Sequence, residues 1–226
     1  MKTLFTLTIC LFSCQLLSAQ SGKVAIFDEN INPGAVIDEL PLPPPGIEGH
    51  AYLFEEWKSG TITLRSNQLI DGYPIKVDLQ NQLIEIRFEN QVKVCSLPMF
   101  SKFELGNKQY INTNEIESNY ELPSGIAQVL YEGKVTVINH FYTEMKEPTY
   151  VPTVDMGDRN KKIIKKEQVY AIKDKTVFEL NGKLKRNQEF FGNNYKEVAD
   201  FAEKNKLKFK DQDDLISIIE YYNSLI

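Results

Sequence analysis

The chain has 226 residues, a formal net charge of −5 and a hydrophobic fraction of 42%. This length is sufficient for one large domain, or two small ones, with a hydrophobic core. The mild acidic excess argues against a general nucleic-acid binder, because such proteins depend on clustered positive charge. We therefore expect no nucleic-acid partner.

The first residues have the layout of a secretory signal peptide, so we expect residues 1–19 to be removed on export. Lys2 is followed by a nearly uncharged apolar run from Leu4 to Leu17, and Ser18 and Ala19 supply the small residues. The run is too short for a transmembrane helix of about 20 residues. The mature chain is therefore predicted to be periplasmic or secreted, with no transmembrane span.

The cysteines bear on anchoring and on redox chemistry. An alternative to a free mature chain is a lipid anchor on Cys14, because residues 11–14, Leu-Phe-Ser-Cys, resemble the lipobox of a bacterial lipoprotein. Once residues 1–19 are removed, only Cys95 remains, and no intramolecular disulfide can form. Val94 and Leu97 suggest a strand around it, so we expect a buried thiol that fills the core.

Residues 20–49 are predicted to form a proline-rich extended leader. They contain Pro33-Gly34 and the run Pro41-Leu42-Pro43-Pro44-Pro45-Gly46. Successive prolines lack N–H donors and fix φ, which favours an extended chain over a helix or a central strand. The leader is interpreted as a spacer, or as a strap that lies on the domain.

From His50 to Glu144 apolar residues recur at every second position, which is typical of strands with one buried face. The connections are short and rich in turn-forming residues, which predicts an antiparallel meander. Two further strands are expected before residue 181. The predicted strands are residues 61–65, 73–79, 84–89, 91–97, 100–105, 109–111, 126–131, 134–142, 168–172 and 176–180.

Residues 146–166 interrupt the alternation, and we expect a mobile loop there. A basic cluster comprises Arg159, Lys161, Lys162, Lys165 and Lys166. Loops beside a sheet often carry binding residues, which makes Asp155, Asp158 and this cluster the best of a weak set of candidates. The cluster is interpreted either as a solvated loop or as a surface for anionic lipid or glycan.

Helical periodicity begins at Lys183. Asn194 is expected to cap one helix, and Asp211 with Asp214 makes a capping-box-like start to another. The last helix carries an apolar stripe that must be buried, made of Leu215, Ile218, Ile219 and Tyr222. The predicted fold is α+β: one domain over 50–226, with a twisted antiparallel meander sheet (50–180) followed by two or three helices (183–226).

Several stretches resemble uncharacterised secreted proteins common in Bacteroidota. They are His50-Ala-Tyr-Leu-Phe-Glu-Glu-Trp57, Gly60-Thr-Ile-Thr-Leu64, Tyr73-Pro-Ile-Lys-Val-Asp-Leu79, Val129-Leu-Tyr-Glu-Gly-Lys-Val135, residues 204–215 and Tyr221-Tyr222-Asn223. The resemblance spans most of the mature chain and implies an exported protein. It implies no activity, cofactor or catalytic residue.

No residue constellation identifies a chemistry. His50 and His140 are the only histidines, without the metal-ligand, phosphate-loop or nucleophile-elbow motifs that would accompany a site, so we predict no catalytic, metal or cofactor site. His140 is expected at a sheet surface. The aromatic residues Tyr52, Phe54 and Trp57 are interpreted either as core or as the lining of a sugar or peptide groove.

The leading functional hypothesis is a non-enzymatic cell-envelope protein, an interaction or ligand-binding module whose partner is an unknown envelope protein or ligand. One alternative is a hydrolase that uses carboxylates, Asp155 and Asp158 among them, against an envelope polymer. A second alternative is a lipid carrier, in which a curved sheet and its helices enclose an apolar groove.

Overall fold

A computed structural model describes residues 36–37, 46–89 and 91–226. The predicted signal peptide, Cys14 and most of the proline-rich leader lie outside the described residues. The two described parts of the leader, Val36–Ile37 and Ile47–Glu48, each form a short strand, which the sequence had not indicated.

Twelve strands form one sheet in the part of the chain that the structure describes. They are β1 (Val36–Ile37), β2 (Ile47–Glu48), β3 (Lys58–Leu64), β4 (Leu69–Asp78), β5 (Leu83–Phe88), β6 (Gln91–Ser96), β7 (Phe100–Leu105), β8 (Lys108–Asn112), β9 (Ile126–Tyr131), β10 (Val135–Lys146), β11 (Lys161–Lys173) and β12 (Thr176–Leu180). All pairs are antiparallel except β2 with β11. The α+β prediction with a large sheet is confirmed.

The order of the strands departs from a single meander at β1, at β2 and between β6 and β7. Along the sheet it is β1-β6-β5-β4-β3-β7-β8-β9-β10-β11-β12, with β2 beside β11. Only residues 97–99 separate β6 from β7 in the chain, yet four strand spacings, about 19 Å in a flat sheet, separate them in space. Four Cα steps reach at most about 15 Å, so the sheet must curl.

The curled part encloses the first hydrophobic core. Its buried residues come from β3 to β9 and from the connections between them, and the largest are Ile62, Ile75, Ile84, Ile86, Phe100, Phe103 and Tyr110. Cys95 is fully buried in this core, as expected, and burial raises the pKa of its thiol to about 12. The thiolate that a nucleophile needs is therefore disfavoured.

Asn112 holds the crossover between β6 and β7 in place. Its side chain is fully buried, and its Nδ2 donates to the carbonyl oxygens of Leu97 (2.8 Å) and Phe100 (3.0 Å). Its Oδ1 accepts from the backbone N–H of Asn114 at 3.0 Å. The first two bonds satisfy carbonyl groups at the two ends of the crossover, and the third satisfies a backbone N–H in the turn that follows β8.

Three helices cover one face of β9 to β12. They are α1 (Gln188–Phe191), a single turn, α2 (Tyr195–Lys204) and α3 (Gln212–Leu225). The predicted stripe on α3 is confirmed, because Leu215, Ile218, Ile219 and Tyr222 are all buried. Asp211 caps α3, as predicted, by accepting from two backbone N–H groups. Asn194 precedes α2 but makes no side-chain capping bond.

The predicted loop at residues 146–166 is shorter in the structure. β11 begins at Lys161, and its first residues pair with the end of β10 and with β2. The basic residues Lys161 to Lys166 therefore lie on a strand. These residues lack the alternation of apolar and polar side chains that is typical of a strand, but they pair with the long strand β10. Strand formation depends strongly on such structural context.

Candidate functional site

A small pocket lies where the sheet meets the start of α3, and we call it the sheet–helix pocket. Its cavity volume is about 160 Å³. An engineered apolar cavity of about 150 Å³ in another protein accommodates benzene, so a group of similar size fits here. Its apolar wall is formed by Leu130, Val169, Leu180, Phe209 and Leu215.

Asn139 and Glu167 form the polar wall of this pocket. Asn139 is only 6% exposed, and its Nδ2 donates to Glu167 Oε2 at 2.8 Å. Because the amide nitrogen must face the carboxylate, the other terminal atom of Asn139 is the Oδ1 acceptor. This oxygen is buried and has no hydrogen-bond partner among the described residues. Such an unsatisfied group costs about 1–3 kcal/mol.

The residue type of position 139 is unusual for its place in the sheet. Alternation along β10 directs residues 135, 137 and 139 to the same face, and Val135 and Val137 are buried against the helices. An apolar residue at 139 would continue this pattern and remove the unsatisfied oxygen. Unpartnered buried polar groups are rare in native structures, and each one calls for an explanation such as a bound water, an ion or a functional role.

The rim of the pocket carries charges of both signs. Glu167 and Lys210 are both exposed, and Lys210 forms no ion pair within the part of the chain that the structure describes. The N-terminus of α3 is close by, but Asp211 already accepts from two of its N–H groups. The acceptors of Asn139 and Glu167 favour a small ligand that has an amino group.

Larger clefts exist but are less well formed. Two clefts of 400 Å³ lie along β12 and share Phe178 and Phe190. They are more open to solvent than the sheet–helix pocket. None of the buried unpartnered side-chain atoms found in the described residues belongs to a residue that lines them.

The carboxylates Asp155 and Asp158 each have a separate cationic partner. Asp155 Oδ1 accepts from Arg159 at 2.6 Å and from the Tyr150 hydroxyl at 2.8 Å, and Asp158 Oδ1 accepts from Lys162 at 2.8 Å. These bonds lower the pKa of both carboxyls. A general acid needs a raised pKa, so this pair gives no support to the hydrolase alternative.

His140 is buried, which corrects the expected position at a sheet surface. It is 4% exposed beneath the segment that joins β8 to β9, where it has a hydrogen bond to the Ser124 backbone. Its Nε2 has no partner among the described residues. A Cβ on Gly125 would lie 2.7 Å from this nitrogen, so only glycine permits the close approach. Desolvation lowers the pKa of His140.

This burial predicts a loss of stability as the pH falls. Below the ordinary histidine value of 6.5 the unfolded chain binds a proton that the folded chain rejects, so the free energy of unfolding decreases down to the lowered pKa of the folded state. The melting temperature is expected to fall between about pH 8 and about pH 5. A His140→Gln variant should reduce this slope, and an unchanged slope would contradict the assignment.

Tyr52 and Trp57 lie on the outer face of β4 and β5 rather than in the core. The Tyr52 hydroxyl donates to Glu85 Oε1 at 2.9 Å, and the Arg87 guanidinium lies 4.1 Å from the Trp57 ring centre. Phe54 packs partly against the first core. Sequence patterns did not identify Glu85, whose side chain is fully buried. Its Oε2 has no hydrogen-bond partner among the described residues, and desolvation is the main cause of its raised pKa.

Metal sites and membrane-spanning helices are both absent from the described residues. No group of three or more histidine, cysteine, aspartate or glutamate side chains is arranged to hold a metal ion. None of the helices there combines the length and the apolar character needed to cross a membrane.

Sequence patterns contain no signal for the sheet–helix pocket. Its polar residues Asn139, Glu167 and Lys210 lie on two strands and in the connection before α3, far apart in the chain, and only the tertiary fold brings them together. Comparison of the chain with protein-family models, with curated proteins and with solved structures gave no match. The site is therefore argued from its geometry.

Proposed function

We propose that this protein is a non-enzymatic, ligand-binding protein of the cell envelope, and that the sheet–helix pocket is its binding site. The observation that carries the proposal is the Asn139 side chain, which lines the cavity and whose buried Oδ1 has no hydrogen-bond partner among the described residues. An apolar residue would serve the fold better at this position. A ligand that donates a hydrogen bond there explains why an amide is present.

The proposed ligand is a small amphipathic molecule with a protonated amino group. An ammonium offers three donors, which match the acceptors of Asn139 and Glu167. The apolar wall suits an aliphatic or aromatic body of benzene size. Lys210, which also lines the pocket, is suited to a carboxylate, so the proposed ligand is a free amino acid with an apolar side chain.

Export places this binding activity in the envelope. The apolar N-terminus that resembles a signal peptide, and the resemblance to secreted proteins common in Bacteroidota, both support a periplasmic or secreted location. Lipid anchoring through Cys14 stays an alternative for the mode of attachment. The pocket has the same role in either case, because the predicted leader separates it from the N-terminus.

The two other functional hypotheses have less support. The hydrolase alternative relied on Asp155 and Asp158, whose pKa values are lowered. The lipid-carrier alternative needs a large enclosed apolar cavity. The two clefts of 400 Å³ along β12 are more open to solvent, and the sheet–helix pocket has a volume of only about 160 Å³. An acyl chain would not fit within it.

Calorimetric titration with three related compounds tests the proposal. Leucine and leucinamide carry the amino group, whereas 4-methylpentanoate has the same aliphatic body and no amine. We expect the first two to bind and the third to bind at least about tenfold more weakly, because the loss of a charge-assisted hydrogen bond costs about 1.5–3 kcal/mol. Weaker binding of leucinamide than of leucine would report the contribution of Lys210.

Replacement of Asn139 by leucine is expected to weaken amine binding at least about tenfold while the melting temperature is maintained or raised. The variant removes an unsatisfied buried oxygen, and it leaves Glu167, which is exposed, free to be hydrated. Titration and thermal melts measure the two effects. Glu179→Gln on the neighbouring β12 is the matched control and should change neither.

The proposal would be overturned by equal affinity of the wild-type protein for 4-methylpentanoate and leucine, or by no binding of any amine. A large drop in the melting temperature of Asn139→Leu would instead give the amide a structural role.

A further inference from the structure

The end of the β10–β11 hairpin projects beyond the rest of the sheet. β9 pairs with β10 only as far as Phe141, and β12 pairs with β11 only from Val169. We call residues 143–166 the arm. Apart from β2, which pairs with Lys161 and Lys162, no third strand joins the arm in the described part of the chain.

Exposed apolar side chains are concentrated on this arm. Six large hydrophobic residues are exposed in the described part of the chain, and four of them belong to the arm: Met145, Val151, Val154 and Met156. The other two are Leu69 and Tyr120, on separate elements. A cluster of this kind on a projecting hairpin indicates an interaction surface, whereas scattered apolar residues do not.

The tip of the arm has a defined shape. Val151 and Met156 form an antiparallel bridge, in which the Val151 N–H donates to the Met156 carbonyl at 2.8 Å. Residues paired in this way present their side chains on the same face, and Val154 lies in the turn between them. Gly157 closes the turn with a φ of +101°, and a Cβ there would lie 2.3 Å from the Thr149 carbonyl oxygen.

The arm as a whole is basic, although the tip itself contains Asp155 and Asp158 and most of the cations lie behind it on β11. The arm contains six cationic and four anionic side chains, a net charge of +2, on a chain whose net charge is −5. Four of the cations, Arg159, Lys161, Lys162 and Lys166, form exposed ion pairs. Such pairs contribute little, so the cations can exchange their partners for other anions.

We propose that the arm docks on an anionic lipid surface, with Val151, Val154 and Met156 inserted among the headgroups and with the basic residues against the phosphates. Apolar side chains combined with cations bind such interfaces. A second copy of the chain is a poorer partner, because outside its own arm the described residues expose only two large hydrophobic side chains. The long aliphatic side chains of the lysines also allow their ammonium groups to reach the lipid phosphates while the tip is inserted.

Co-sedimentation with vesicles tests this docking. The experiment uses the chain from residue 20 onward, because the apolar residues 1–19 would bind lipid by themselves. We expect it to sediment with vesicles that contain phosphatidylglycerol and phosphatidylcholine, and at least tenfold less with phosphatidylcholine alone. Added salt should weaken the binding, because it screens exposed charges.

Two double variants separate the apolar contribution from the charge. Val154→Ser with Met156→Ser should lower the partition coefficient at least about tenfold without any change in charge. Lys161→Gln with Lys165→Gln should reduce the preference for phosphatidylglycerol. Tyr120→Ser, an exposed residue outside the arm, is the matched control and should bind like the wild type. All variants change surface positions, so their melting temperatures should stay close to that of the wild type.

Failure of the wild type to bind vesicles, or equal binding by the serine variant, would overturn the proposal. A concentration-dependent dimer in sedimentation velocity that the serine variant abolishes would instead assign the tip to a second copy. The Asn139→Leu variant should bind lipid normally, which keeps this test separate from that of the sheet–helix pocket.

Discussion

Deletion of Asp211 to Ile226 is expected to abolish cooperative unfolding of the protein. The deleted segment is α3 with its cap, and Leu215, Ile218, Ile219 and Tyr222 are each at most 4% exposed. Complete burial of one large apolar side chain stabilises a fold by about 1.5–3 kcal/mol, so these four contribute roughly 6–12 kcal/mol. A whole domain has a stability of only about 5–15 kcal/mol.

The deletion also exposes what α3 covers. Phe190 and Phe191 make edge-to-face contacts with the Tyr222 ring, and the Lys173 ammonium donates to its hydroxyl at 2.8 Å. Loss of that ring leaves the apolar face of β10 to β12 open to water, so the truncated chain should bind a hydrophobic dye and aggregate.

Thermal melts and dye binding measure this result. Two point variants provide the matched comparison: Ile218→Ala removes buried volume and should cost about 2–5 kcal/mol, whereas Glu220→Ala changes an exposed position of the same helix and should have little effect. A truncated protein with the wild-type melting temperature would show that α3 is an appendage.

Local patterns in the sequence were sufficient to predict much of this architecture. The period of two in β3 to β5 and the i, i+3, i+4, i+7 stripe of α3 reflect burial of one face, which a single segment records by itself. The hairpin between β11 and β12 is equally local, because Asp174 and Lys175 both have positive φ in a two-residue turn. The last helix and the turn between β11 and β12 were predicted at their observed positions, whereas β4 begins four residues and β11 seven residues before the predicted start.

The long-range features were not predictable in this way. After the crossover from β6 to β7, new strands are added at the opposite side of the sheet. No residue in the connection indicates which strand β7 will pair with. β1 and β2 are two residues each and pair with partners more than fifty residues away. They pair with backbone N–H and C=O groups that are unpaired at the edge of the sheet. Which groups are unpaired is decided only when the whole sheet has assembled.

The candidate sites show the same limit. The basic residues near Arg159 were visible in the sequence, but the exposure of Val151, Val154 and Met156 became apparent only when the hairpin was seen to project. In the sequence, Asn139 is simply one polar residue within a predicted strand. Whether its side-chain oxygen finds a hydrogen-bond partner depends on the residues that the fold places around it. Polar groups that violate a local pattern are detectable in sequence, but the cavity beside them is not.

Replacement of Asn112 by alanine is expected to destabilise the protein by about 2–4 kcal/mol. The side chain makes three hydrogen bonds to backbone groups, two of them to the carbonyl oxygens of Leu97 and Phe100. The side chains of both residues are buried in the first core, so water does not readily replace the lost donor. A buried polar group left unsatisfied costs about 1–3 kcal/mol.

Urea denaturation measures this effect as a lower midpoint with an unchanged slope. The Asn112→Asp variant separates the loss of hydrogen bonds from the loss of volume. Its carboxylate still accepts from the Asn114 N–H, but it has no donor for the carbonyl oxygens of Leu97 and Phe100. This variant should therefore destabilise the protein at least as strongly as Asn112→Ala. Asn114→Ala is the matched control. It removes only an exposed bond to Ser124 and keeps the backbone N–H that Asn112 accepts, so its midpoint should stay close to that of the wild type. Equal midpoints for Asn112→Ala and Asn114→Ala would mean that the crossover is held by apolar packing, with the amide bonds contributing little.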